Sequence, residues 1–172
     1  MLGDCTFMII LSAILLTAQL NYGAVNSGQR QELSFDATPT PGDFASLLSV
    51  YRKVNGSAIL LWQGSWPGER IAAAIPFRIP SASQEGFLFT TKGIAGNRFR
   101  TILVVTKADA KKGSIILNEV GRGEPYFPDI MWHGKNGDPV LFIRVWPGFA
   151  LKKFDWSRKA GKYVANPPIK RS

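Results

Sequence analysis

Few side chains in this sequence are equipped for covalent or metal chemistry. His133 is the only histidine, so any imidazole base, catalytic triad or histidine-containing metal cluster has to pass through it. It follows Trp132 at the end of an apolar run and precedes Gly134, the setting of a surface or turn residue. Ser65 lies in Gln63-Gly64-Ser65-Trp66-Pro67, which departs from a nucleophile elbow because Gln63 stands where the first glycine is needed. The only cysteine, Cys5, precedes the apolar N-terminal run, so a product cleaved after that run holds no thiolate, disulfide or cysteine-bound metal. There is no P-loop, dinucleotide fingerprint or zinc-protease motif, and Gly121-Arg122-Gly123 reads as a flexible basic turn. Glu119 with Glu124, and Asp129 with Asp138, are carboxylate pairs that could serve a hydrolase as acid and base, but sequence spacing in a β protein does not show that they converge. No cofactor and no metal site is expected.

Residues suited to binding are more plentiful. The five tryptophans are Trp62, Trp66, Trp132, Trp146 and Trp156. Indole faces stack on sugar rings and cations, and Trp66 and Trp146 each precede a turn where they would be exposed, whereas Trp62 and Trp132 read as core. The formal charge is +9, with Lys152, Lys153, Arg158, Lys159, Lys162, Lys170 and Arg171 against Asp155 alone at the C-terminal end. A second cluster sets Lys92, Arg98, Arg100, Lys107, Lys111 and Lys112 against Asp109. Such clusters attract lipid head groups, acidic glycans or nucleic acid, and on an exported chain envelope polymers come before nucleic acid. Lysines on solvated strand faces would serve solubility alone. Asn55-Gly56-Ser57 fits both a turn and a glycosylation acceptor.

Thr6 to Ala18 is an apolar run of 13 residues, shorter than the roughly 20 that a spanning helix requires. Its length suits a secretory signal, although Met1 to Cys5 carries Asp4 and no lysine or arginine. We read 1–24 as a signal peptide, 25–40 as a flexible linker, 41–166 as a β domain and 167–172 as a basic tail, and expect a secreted or periplasmic protein. Asp4 is the only charged residue before position 25, so removal of 1–24 makes the product more basic still.

With 45% hydrophobic and 19% charged residues, the chain holds enough apolar mass for one core. Asp43 offers a cap, and Phe44, Leu47, Leu48 and Tyr51 at i, i+3, i+4 and i+7 predict one short N-terminal helix. Everything after it is short, rich in Ile, Val, Leu, Phe and Trp, and broken by Gly, Pro and Asn. About eight strands follow, over 58–63, 70–77, 86–91, 99–107, 114–120, 129–133, 140–146 and 151–154.

The turn markers Asn55-Gly56, Gly96-Asn97 and Asn136-Gly137 recur about every 40 residues, each ahead of a buried-looking run centred near Leu60, Leu103 and Leu141. Trp66-Pro67-Gly68 and Trp146-Pro147-Gly148 suit type II turns, because proline fixes φ at the first central position and glycine tolerates positive φ at the next. Three hairpin repeats are therefore expected, arranged as a sandwich, a barrel or a partial propeller.

Residues 126–164 resemble one unit of the FG-GAP/VCBS type of β-propeller repeat. The resemblance rests on Pro128-Asp129-Ile130, on Asn136-Gly137-Asp138-Pro139 before an apolar strand, and on Phe154-Asp155 before Gly161-Lys162-Tyr163. It implies blade-like sheets and, in that family, an acidic calcium loop. Here only Asn136 and Asp138 stand where ligands belong and Gly134 and Lys135 intrude, so no calcium site is expected.

The function expected is an exported, non-enzymatic binding protein that meets an anionic polymer, glycan or membrane surface through Lys152, Lys153, Arg158, Lys159 and Lys162, with Trp66 and Trp146 beside them. The alternatives are an assembly subunit forming homo-oligomers through β edges, and a hydrolase using His133 or a carboxylate pair.

Overall fold

The computed structural model describes residues 16–19, 31–40, 45–93, 98–122, 129–131, 134, 137–145 and 150–166. Strands β1 (Leu16–Gln19), β2 (Gln31–Thr40), β3 (Ala45–Val54) and β4 (Ser57–Ser65) form a first antiparallel sheet in chain order. Strands β5 (Glu69–Ile79), β6 (Gln84–Gly93), β7 (Arg98–Lys107) and β8 (Ser114–Arg122) form a second, and β9 (Asp129–Met131), β10 (Val140–Val145), β11 (Ala150–Ser157) and β12 (Lys162–Ala165) a third. Each sheet is a meander of consecutive strands.

The second sheet is the middle layer, and its strands show why. In β6 and β7, alternate residues point to opposite faces and both faces are apolar. Phe87, Phe89, Ile102 and Val104 pack with Leu33, Phe35, Leu48, Val50 and Leu61 of the first sheet. Leu88, Leu103 and Val105 pack on the other side with Leu141, Ile143, Phe154 and Tyr163 of the third. Phe35 meets Phe87 and Phe89 edge-on at 5.1 and 5.3 Å, a favoured arrangement of ring quadrupoles. Gly86 is obligatory at the β6–β7 crossing, because a Cβ there would lie 1.9 Å from the Val104 carbonyl oxygen. Pro76 is tolerated inside β5 because β5 is an edge strand.

Several expectations are corrected. The helix over 43–51 is not formed: Ala45–Val54 is β3, and Phe44 lies outside the described residues. Leu48, Val50 and Arg52 are buried at every second position, and β3 is hydrogen-bonded along its length to β2 and β4, so ladder pairing overrides the helical spacing of Leu47, Leu48 and Tyr51. The linker expected over 25–40 holds β2, whose Leu33, Phe35 and Ala37 enter the core, so the β domain includes residues before position 41. β1 lies within the segment read as a signal peptide and pairs with Ser34–Ala37 of β2.

The markers spaced by about 40 residues occupy unlike places. Asn55-Gly56 joins the third and fourth strands of its sheet, residues 94–97 link the second and third, and residues 132–139 link the first and second. The structural unit has four strands, and the marker interval spans three. Of the expected hairpins, β7–β8 and β10–β11 pair, whereas Trp66-Pro67-Gly68 carries the chain from the first sheet to the second. Among the described residues no helix is long and apolar enough to cross a membrane.

Candidate functional site

Trp62, Gly64 and Trp66 share one face of the β4 end. The Trp62 indole lies over Gly64, where a Cβ would come within 2.7 Å of the ring. It stacks on Trp66 with centroids 6.1 Å apart and planes 27° from parallel. The turn after it is of the expected kind: Glu69 N–H donates to the Trp66 carbonyl at 3.1 Å, and Gly68 has φ +73°. Trp66 is thus half-buried between Trp62 and the guanidinium of Arg100, which stands 5.5 Å from its ring centroid.

Arg100 also reaches Glu69, the first residue of β5. Arg100 Nε donates to Glu69 Oε2 and Nη2 to Oε1, both at 3.0 Å, and Thr91 Oγ donates to Oε2 at 2.6 Å. Arg100 Nη1 donates to Asn118 Oδ1 at 2.9 Å, and Arg98 adds its charge 3.7 Å from the carboxylate. Burial alone would raise the Glu69 carboxyl, but the hydrogen bonds from Arg100 and Thr91 and the charges of Arg100 and Arg98 hold it below its usual range. A carboxylate so held is a structural anion and does not serve as a proton donor at neutral pH.

The expected basic patch divides into two parts. Lys152 donates to Glu119 at 2.8 Å and lies 5.3 Å from the Phe154 ring centroid, so it ties β11 to β8. Lys153 pairs with Asp155 at 3.2 Å, and Asn166 also donates to that carboxylate. Arg158, Lys159 and Lys162 remain exposed together at the β11–β12 turn, which Gly161 closes with φ +60° and an N–H donated to the Ser157 carbonyl at 2.8 Å. Trp66 belongs to the junction of the first two sheets, and the cationic tip belongs to the third. Trp146, Trp132, His133, Glu124 and Asn136 lie outside the described residues.

The β7–β8 loop carries a third cationic group. Lys107, Lys111 and Lys112 are exposed, and the loop backbone is fastened to the first sheet by Arg52 of β3. Arg52 donates to the Ala110 carbonyl at 2.7 Å, to Thr106 Oγ at 3.3 Å and to the Lys107 carbonyl. Gly113 N–H donates to the Leu61 carbonyl at 2.8 Å. No family model matches the chain, and no curated protein or solved structure matches it.

Two of the four carboxylates named as acid and base candidates are engaged elsewhere. Glu119 is held by Lys152, and Asp138, buried, accepts the Ser81 N–H at 2.9 Å. Ser65 is exposed on β4. Among the described residues no group of three or more His, Cys, Asp and Glu converges. A cavity of about 240 Å³ opens where the β5–β6 turn meets the β7–β8 loop, lined by Arg78, Ser83, Gln84, Glu85 and Ala108. Sequence reasoning missed the Glu69–Arg100–Thr91 cluster, whose members are 22 and 31 positions from Glu69, and no local signal joins them. It also took the run around Leu60 as buried, yet Ile59 and Leu60 are each 47% exposed.

Proposed function

We propose that this chain is a binding module without covalent chemistry, which holds an anionic polymer or acidic glycan surface through the cationic tip of the β11–β12 hairpin. The observation that carries this reading is the joint exposure of Arg158, Lys159 and Lys162 on one tight turn, where the acid nearest along the chain, Asp155, is already engaged by Lys153 and Asn166. A tight turn presents its charges without a large ordering cost, and cations clustered on one turn act together on a polyanion. Lys152 and Lys153, paired with Glu119 and Asp155, lie on the β11 strand that leads into the tip. The aromatic ladder of Trp62 and Trp66 braces the sheet junction. Export, read from the apolar N-terminal run, would place the tip opposite acidic envelope polymers.

The test is retention on immobilised heparin of the full chain against an R158Q/K159Q/K162Q variant. The reading expects the variant to elute at clearly lower salt with an unchanged circular-dichroism spectrum. Equal elution of two folded proteins overturns it.

A further inference from the structure

The start of β4 and the β7–β8 loop form a second, amphipathic surface, and we infer that it docks on the face of an anionic lipid bilayer. Ser57 to Leu60 are all exposed along the free edge of a sheet, and Ile59 and Leu60 each leave 47% of their area open, an unusual exposure for two consecutive aliphatic residues next to a core position. Ile59 is the cross-strand partner of Arg52, the residue that caps the Ala110 and Lys107 carbonyls, so its side chain stands on the face that meets the loop. Leu60 leaves by the other face of the strand, but Ile115, 39% exposed, follows Gly113, whose N–H is bonded to the Leu61 carbonyl, so a second aliphatic residue adjoins the loop-facing side of this edge. The loop itself carries exposed Lys107, Lys111 and Lys112 with Asp109 as its one acid.

Charge decides the occupant. Two copies of the chain meeting at this edge would bring their lysine clusters together, which like-charge repulsion opposes. A soluble polyanion would satisfy the lysines and leave the aliphatic groups in water. A bilayer with acidic head groups satisfies both, by taking Ile59 and Ile115 into the acyl boundary while the lysines remain among the phosphates. This surface is separate from the hairpin tip, and either reading stands or falls without the other.

The test is co-sedimentation of the full chain with vesicles of phosphatidylcholine alone and of phosphatidylcholine with phosphatidylglycerol. The inference expects partitioning onto the anionic vesicles and little onto the neutral ones. An I59N/I115N variant is expected to lose about tenfold of that partitioning, since buried apolar area and head-group charge both contribute. A K107Q/K111Q/K112Q variant is expected to lose tenfold or more, roughly in proportion to the charges removed. Both alter exposed positions, and heparin retention governed by the hairpin tip is expected to persist in the first. Equal partitioning onto both vesicle types, or an unchanged value in either variant with the dichroism spectrum retained, overturns the inference. Loss of vesicle binding only in the R158Q/K159Q/K162Q variant overturns it too and leaves the reading of the tip intact.

Discussion

Glu69 and Arg100, 31 residues apart in the chain, meet as a two-pronged ion pair at the corner where the first sheet hands over to the second. Glu69 is 5% exposed and the Arg100 side chain 11%, so each needs the other. The Trp66 indole lies against the guanidinium, and Thr91 completes the carboxylate's shell. A buried pair costs more to break than to replace, because removing one partner leaves the other charged and desolvated. The Arg100→Ala variant is therefore expected to lose about 3 kcal/mol in denaturant unfolding, and Glu69→Gln about the same. The double variant Glu69→Gln/Arg100→Ala should lose clearly less than the sum of the two. Strict additivity would show that the pair is not coupled.

The same carboxylate sets an acid limit. With its folded-state value below the usual 4.5, Glu69 contributes fully above that pH, and the contribution is lost as pH falls through the lower folded-state value. Denaturant midpoints are expected to fall below pH 4.5 in the wild type and to fall less steeply in Glu69→Gln.

Tyr163 sets the alkaline limit. Burial, together with the charges of Asp138 and Asp155, raises its hydroxyl well above the usual 10.0, and that hydroxyl donates to the Pro139 carbonyl at 2.9 Å. Its contribution is complete below 10.0 and is lost as pH rises toward the folded-state value, so stability should decline in strongly alkaline buffer and Tyr163→Phe should flatten that decline. Ultraviolet titration of tyrosinate is expected to show one phenol ionising only as the fold is lost.

Two glycine substitutions separate a movable neighbour from a fixed one. In Gly64→Ala the methyl meets the Trp62 ring at 2.7 Å, and the indole has to swing out, at a cost of about 1–3 kcal/mol and with a red-shifted tryptophan emission. In Gly86→Ala it meets the Val104 carbonyl oxygen at 1.9 Å, inside a paired ladder. That backbone has nowhere to go, so the loss should exceed about 4 kcal/mol, as in the extreme tail of single substitutions. The order of the two melting temperatures checks this.

The strands from β4 to β11 were legible because their apolar runs end at Gly, Pro and Asn, and Asn55-Gly56 folds as a turn with φ +50° and +83°. The segment over 45–54 was misread because Leu47, Leu48 and Tyr51 satisfy a helical period as well as Leu48 and Val50 satisfy a period of two, and only the partners β2 and β4 decide between them. Exposure of Leu60 was not legible, since an aliphatic run carries no mark of being at a sheet edge. For the site, composition exposed the cations Arg158, Lys159 and Lys162, but whether a lysine is free depends on long-range pairs such as Lys152 with Glu119.

The most direct test of the central claim, that a cationic hairpin tip holds a polyanion, is the salt dependence of heparin affinity measured by titration. The account predicts that affinity falls steeply with added salt in the wild type and that the slope is much shallower in R158Q/K159Q/K162Q. Identical slopes for the two folded proteins would contradict it.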